Sequence, residues 1–339
     1  MTARAVVTVI GEAIVDLVPD RATGEYRETP GGSPFNVAIG LARLGNRTSL
    51  MARFADDRYG QLLRTAAADE EIDLRGAPRA VERASVATAS VDAAARATYD
   101  FDIDGTADWQ WTVAELQRLH RDSAVLHFGS IASWTPPGAA RIASLVGELR
   151  ASGGVLISYD PNIRPAALGE RARGVELVED SVRRAHVVKA SSEDVEWLYP
   201  ALAVDEVAAR WNGLGANLVV VTDGVEGATA YRQGGRAPLH RPGNPVTVVD
   251  TIGAGDAFTS GLLTGFMRRC RHPLRWIERL SDGTLADVID EAVLVAAITC
   301  ERAGADPPRI GELLDRLRNG HPEPGRTKLG AAAHHPFGA

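Results

Sequence analysis

Lysine is nearly absent from this chain: Lys189 and Lys328 are the only two in 339 residues. The remaining positive side chains are arginine, a skew that fits coding bias better than thermal adaptation. It leaves Lys189 as the one lysine outside the C-terminal tail. Cysteine is equally scarce. Cys270 and Cys300 stand in apolar, helix-like segments, with no C-x-x-C and no metal-ligand spacing. They read as reduced, buried thiols of a cytoplasmic protein. The eight histidines form no H-E-x-x-H pattern. No apolar stretch reaches the roughly 18 residues of a membrane span. Residues 1–10 run straight into a strand-like segment and lack the layout of a signal peptide. Basic residues are scattered rather than blocked and the net charge is −7, so neither nucleic acid nor a membrane is an expected partner.

What is present is a regular alternation. At 45% hydrophobic the chain can bury a sizeable core, and its length allows one large or two modest domains. Residues 6–10 read as a buried parallel strand. Ser33-Pro34 looks like a helix start, with serine as N-cap and proline at the first turn, and Gly45 fits the residue after the helix end. Beyond Trp109 strands are expected at 124–128, 155–159, 186–189, 218–222 and 246–249. Helices are expected at 138–151, 170–183, 192–199, 204–213, 259–267 and 287–302. This rhythm predicts a parallel sheet covered on both faces, which binds ligands at the carboxyl ends of its strands. Residues 85–93 and 98–103 are short and β-prone with no helix between them. They predict an antiparallel pair apart from the main sheet, joined by 14–29. The Gly-, Pro-, Ala- and His-rich stretch from 321 onward reads as a loose tail.

The densest lettering is Asp250-Thr251-Ile252-Gly253-Ala254-Gly255-Asp256-Ala257-Phe258. A glycine-rich turn opening a helix aims unpaired N–H groups at an anion. An acid in that turn, with no P-loop lysine, points to phosphoryl transfer to a hydroxyl, with Asp256 removing the proton. The plain alternative is an acid-capped helix start. Gly31-Gly32-Ser33-Pro34-Phe35-Asn36 is the second motif. Its glycines make a hinge or a close approach, and Asn36 offers donor and acceptor to hydroxyls; an ordinary loop–helix junction is the alternative.

These two segments resemble the signatures of the ribokinase/fructokinase group of sugar kinases, the phosphofructokinase-B type, and the resemblance extends over about 6–317. It implies a ribokinase-like α/β fold: a three-layer α/β/α sandwich with a mostly parallel central sheet and a small β-sheet lid. The kinase domain would be 1–320, with lid segments at about 13–32 and 83–107. By the same resemblance Gly253, Ala254 and Gly255 form an anion hole with Asp256 as base, and Asp250 helps hold a monovalent cation, expected to be K⁺. Gly31, Gly32, Asn36 and Asp16 would contact the sugar. Asp160-Pro161-Asn162-Ile163-Arg164 looks like the D-P-N-x-R of fructokinases and 2-keto-3-deoxygluconate kinases, with Arg164 reaching substrate or phosphate.

Lys189-Ala190-Ser191-Ser192-Glu193-Asp194 stands where the family has N-x-x-E. Ser191 and Asp194 differ from that pattern and also read as a capping box. Asp194 would act on Mg²⁺ through water, and Lys189 near the nucleotide phosphates. Thr222, Gly224 and Gly227 resemble the T-x-G-x-x-G of the ATP pocket, although a hairpin explains them equally well. Ala297 and Cys300 would line the adenine side. Tyr99 and Phe101 put two rings on one face of a lid strand, over a sugar or within a homodimer contact. The resemblance implies ATP and Mg²⁺ as cofactors and fructose as acceptor. 2-Keto-3-deoxygluconate comes next, with Arg96 and Arg164 for its acid group, then ribose or a nucleoside. Other classes are a silent sugar sensor, which has no need of Asp256, and a dinucleotide oxidoreductase, whose G-x-G-x-x-G is missing after the first strand.

Overall fold

A computed structural model describes residues 5–19, 23, 25–91, 97–270, 272–277 and 279–319. The tail 321–339 and Arg96 lie outside them. The main sheet has eight strands in the order Leu239–Arg241, Ala228–Arg232, Leu218–Thr222, Val187–Ser191, Leu156–Asp160, Ser123–Gly129, Val6–Ile10, Arg47–Met51. All neighbours are parallel except the first two pairs, which are antiparallel. The central strands are runs of Val, Leu and Ile because both faces are covered.

Alternate side chains along each strand feed two cores. Val7, Val125, Leu156, Val187 and Leu218 join Phe35, Leu41, Leu262 and Val288 from the helices Ser33–Arg43, Ala254–Arg269 and Asp282–Cys300. Leu126, Ile157, Val188 and Val219 meet Val146, Val182 and Trp211 from the helices Gly138–Ser152, Arg171–Arg184 and Val204–Leu214. Full burial of each such side chain is worth about 1.5–3 kcal/mol. The result is the expected three-layer sandwich.

A second sheet, in the order Tyr26–Gly31, Ile14–Pro19, Val86–Val91, Ala97–Asp102, stands apart from the first. The antiparallel pair of the last two strands is present in register Ala87↔Phe101 and Ala89↔Tyr99. The stretch expected at 14–29 is a hairpin whose first strand runs parallel to Val86–Val91.

Three expectations need correction. Residues 246–249 form no strand. Val248 and Val249 are exposed, and the sheet ends at Leu239–Arg241, so the valines find no sheet neighbour. Ser33 is the first helical residue rather than the N-cap; Gly32, at φ 99°, occupies that place and no side chain caps it. Both cysteines are partly exposed and unbridged rather than buried. The hydrophobic pattern did not reveal the strand Arg47–Met51 or the helix Ile310–Asn319. Among the described residues no helix is long and apolar enough to cross a membrane.

Candidate active site

The site forms where the carboxyl ends of the central strands meet the amino end of the helix Ala254–Arg269. That helix starts behind Gly253, whose φ is 74°. A Cβ there would come within 2.5 Å of the Ala305 Cβ, so only glycine makes the turn. The Ala254 N–H donates to the Thr251 carbonyl at 3.2 Å, while the amides that follow it in the first turn have no partner within the helix, as an anion site requires.

Asp256 sits in the first turn and is 9% exposed. Ser33 Oγ donates to its Oδ1 at 2.6 Å, and Asn36 Nδ2 donates to its Oδ2 at 2.9 Å. Ser33 therefore serves the acid instead of capping its own helix. The two motifs, 223 and 220 residues apart in sequence at these bonds, are one constellation. Burial pushes the Asp256 carboxyl up to about 6 against the two hydrogen bonds; Asp160 adds to the rise and Lys189 opposes it. A carboxyl so placed is largely ionised at neutral pH yet still basic enough to accept a proton.

Asp16, on the strand Ile14–Pro19, faces the same centre. Burial raises its carboxyl to about 6, with the Arg164 charge lowering it and the Asp256 charge raising it. Gly31 lies across from it, and a Cβ there would overlap the Asp16 carboxylate. Tyr99 belongs to the same field: burial raises its hydroxyl, followed by the charges of Asp16 and Asp250. Its ring centroid lies 6.3 Å from that of Phe101, which also packs against the second core.

Arg164 follows a tight turn in which Asn162, at φ 40°, sends its N–H to Asp160 Oδ1 at 3.1 Å and its Nδ2 to Ser130 Oγ at 3.3 Å. Ser130 itself has φ 51°. Two non-glycine residues held in the left-handed region mark a turn over-determined by its surroundings. The Arg164 Nη1 donates to the Ile163 carbonyl at 2.9 Å.

Lys189 is buried beneath the site. It is 4% exposed and its Nζ donates to Asp160 Oδ2 at 3.1 Å. Its ammonium also stands close to the turn, where a Cβ on Gly255 would come within 2.8 Å of it. Ser191 and Asp194 form a complete capping box. Asp194 Oδ2 accepts from the Ser191 N–H at 2.9 Å and Oδ1 from the Ile163 N–H at 2.8 Å. Asp250 accepts from Ile252 N–H at 3.0 Å and Gly304 N–H at 2.8 Å. Cys300 lies beside it: the Cys300 carbonyl accepts from Val249 N–H at 2.8 Å, and burial, then the Asp250 charge, raises its thiol. Thr222 pairs in register with Ser191 and its Oγ1 donates to the Ala190 carbonyl at 3.4 Å. Gly224 and Gly227 shape the reversal into the antiparallel strand Ala228–Arg232, as the hairpin alternative had it. Ala297 is buried in the helix Asp282–Cys300. Lys189, Ser191 and Thr222 stand toward the carboxyl ends of their strands, and none of these residues is hydrogen-bonded to Asp256.

Sequence reasoning assigned no site role to Ser33, Asp160, Glu12 or Asp108. Glu12 is 1% exposed and accepts from Ala132 N–H at 3.1 Å; burial lifts its carboxyl to about 7. Asp108 accepts from Ala13 N–H at 2.9 Å and Ser85 Oγ at 2.6 Å, so it ties together the two chain segments that lead into the small sheet. The signal available was an acid inside an apolar context, which is costly unless paired.

A family model described as pfkB family carbohydrate kinase matches residues 4–310. A fructokinase of Rhizobium leguminosarum bv. trifolii is 34% identical over 325 residues, covering 95% of this chain and 92% of that protein. A double-mutant fructokinase from Vibrio cholerae O395, solved with fructose, ADP and potassium ion bound, has a TM-score of 0.81 at 27% identity, covering 92% of this chain and 98% of its own. Aminoimidazole riboside kinase from Salmonella enterica, complexed with aminoimidazole riboside and an ATP analog, has a TM-score of 0.78 at 26% identity, covering 92% and 99%. With both motif segments inside the matched range and the buried acid at their junction, this chain belongs to the pfkB family of carbohydrate kinases.

Proposed function

We propose that this protein is an ATP-dependent fructokinase, transferring the γ-phosphate to a primary hydroxyl of fructose to give fructose 6-phosphate. The observation that carries this reading is the buried Asp256, fixed through both oxygens by Ser33 and Asn36 at the mouth of the glycine turn. The hydroxyl enters between Asp256 and Asp16. As it attacks phosphorus, its proton passes to Asp256, the bond to the β–γ bridging oxygen breaks, and ADP leaves. The amides of Gly253, Gly255 and Asp256 stabilise the equatorial oxygens, joined by that of Ala254 once it leaves the Thr251 carbonyl. Arg164 supplies a permanent charge on the acceptor side.

Mg²⁺ would supply neutralisation of the charge on the ATP phosphates. Among the described residues no group of three or more His, Cys, Asp or Glu could hold a metal, and both Asp194 oxygens already accept amides. These residues fit an ion carried by the phosphates and water. The Asp250 oxygens each take one amide and keep a lone pair, which fits a monovalent cation such as K⁺ beside the turn. ATP would lie along Thr222, Gly224, Gly227, Ala297 and Cys300. The segments 13–32 and 83–107 are read as a lid within a 1–320 kinase domain, closing through Gly31-Gly32 to exclude water. The exposed Tyr26 and half-exposed Tyr99 of the small sheet fit a homodimer through the lid, and a monomeric mass in solution would remove that part. A cytoplasmic location fits the unbridged thiols.

The test is ADP release over a panel of fructose, 2-keto-3-deoxygluconate, ribose and nucleosides. Fructose should give the highest kcat/KM; stimulation by none of them ends the kinase reading and favours the silent sensor. Asp16 gives a second, separable prediction. Its carboxylate accepts sugar hydroxyls, and a charged hydrogen bond contributes about 1.5–3 kcal/mol. Asp16→Asn should raise KM for the sugar about 10- to 100-fold, with KM for ATP little changed. An unchanged sugar KM would move the acceptor elsewhere.

A further inference from the structure

We propose that the buried pair Lys189–Asp160 is the charged support of the glycine turn, a positioning device that acts from behind Gly255 rather than as a nucleotide ligand. The proposal rests on the kinase reading above. Three elements meet at the pair. Lys189 comes from the strand Val187–Ser191, Asp160 from the end of Leu156–Asp160, and Thr259 from the helix that carries Asp256. Lys189 is 4% and Asp160 1% exposed. Lys189 Nζ donates to Asp160 Oδ2 at 3.1 Å, and Thr259 Oγ1 lies 3.4 Å from the same oxygen. A Cβ placed on Gly255 would come within 2.8 Å of the Lys189 Nζ. The ammonium therefore lies against the turn where a side chain at 255 would be, and the missing side chain at Gly255 lets it approach the backbone.

The groups facing Lys189 are Asp160 and Asp194 on neighbouring elements, Asp256 on the helix, and His127 on the strand Ser123–Gly129. Burial opposes the ammonium, but the three carboxylates outweigh it and hold it charged. His127 is buried and neutral, its ring pushed down to about 3 by burial and by the Lys189 charge. Asp256 thus sees one cation and one anion of the pair, with Ser33 and Asn36 as donors, while Asp16 feels both Asp256 and Arg164. A positive charge lodged behind amides that receive a phosphoryl group is worth most when that group carries its transition-state charge, and least for ADP binding. The pair's effect should fall on kcat.

The test compares Lys189→Met with the double variant Lys189→Met/Asp160→Asn. The single variant strands a buried carboxylate and so threatens folding; the double variant removes both charges and restores balance. Melting curves report folding, titration calorimetry reports ADP affinity, and kcat is followed from pH 5 to 8.5. For the wild type kcat should fall as pH drops through about 6, because the base must be ionised. In Lys189→Met, where it folds, that acid limb should move upward, since the charge lowering the Asp256 carboxyl is gone. Adding Asp160→Asn should bring the limb back down, while kcat at the plateau stays about 30-fold or more below wild type and ADP affinity stays within about threefold. A double variant with wild-type kcat would make the pair merely structural. A loss confined to ADP affinity or KM for ATP would make Lys189 a nucleotide ligand. Either result overturns the proposal. Lack of wild-type turnover with any sugar would instead remove the reaction itself.

Discussion

Asp256→Asn should fold, bind ADP and sugar close to normally, and lose about 10²- to 10⁴-fold in kcat, the range expected for removal of a general base. The substitution keeps the side chain's shape and one acceptor oxygen. Ser33 Oγ can still donate to that oxygen. The new NH₂ group, however, faces Asn36 Nδ2, a donor against a donor, unless the Asn36 amide turns over and presents its oxygen. That local rearrangement costs far less than the chemistry lost, because no other carboxylate accepts from Ser33 and Asn36 together. Asp256→Ala is a harsher form of the same test, leaving the buried Ser33 hydroxyl unpaired at about 1–3 kcal/mol and the partly buried Asn36 amide without this acceptor. Single-turnover rates with fructose and ATP, beside a melting curve, check the result. If Asp256→Asn retains wild-type turnover, the proton goes elsewhere and the assigned base is wrong.

Gly253→Ala should cost about 10²- to 10³-fold in kcat, comparable to the loss of an oxyanion-hole donor. Two effects combine. A φ of 74° costs an alanine about 1–2 kcal/mol, and its Cβ would sit 2.5 Å from the Ala305 Cβ. The turn must shift, and with it the amides aimed at the phosphoryl group, where a displacement of about 1 Å is enough to lose two orders of magnitude. Gly153→Ala separates the two effects. Gly153 has φ 68° at the end of the helix Gly138–Ser152, with nothing within 4 Å of its added Cβ. It should lower the melting temperature by a similar strain and leave kcat alone. Equal losses of turnover in both variants would mean that general destabilisation explains the Gly253 effect.

The fold was legible wherever burial on both faces wrote a continuous apolar run: Val6–Ile10 and Leu218–Thr222 lie where the sequence places them. Residues 246–249 misled because three valines in four residues have the composition of a strand, while strand formation needs a neighbour to accept the hydrogen bonds. Arg47–Met51 was missed for the opposite reason. It is Arg-Thr-Ser-Leu-Met, polar at its start, yet buried against Val6–Ile10 at the sheet edge. In the site, Asp256 and Asn36 were visible as motif letters. Ser33 was not, because a serine before proline at a helix start satisfies a local rule, and only the tertiary fold shows its hydroxyl turned to an acid more than two hundred residues away. Lys189 was visible as a charge, but which side of the backbone it occupies is decided by Asp160, through a contact no spacing encodes.

Since no strand leads into the glycine turn at 246–249, the turn is not fastened to the sheet by its approach. It is fastened to the far end of the helix Asp282–Cys300: Val249 to the Cys300 carbonyl, Asp250 to the Gly304 amide, and Gly253 against Ala305. With ATP placed along Cys300 as proposed above, the base side of the nucleotide and the phosphate turn would share this one attachment. A replacement there that displaces the Cys300 carbonyl would displace Val249 and the turn with it, so a change made on the nucleotide side should be read out in turnover as well.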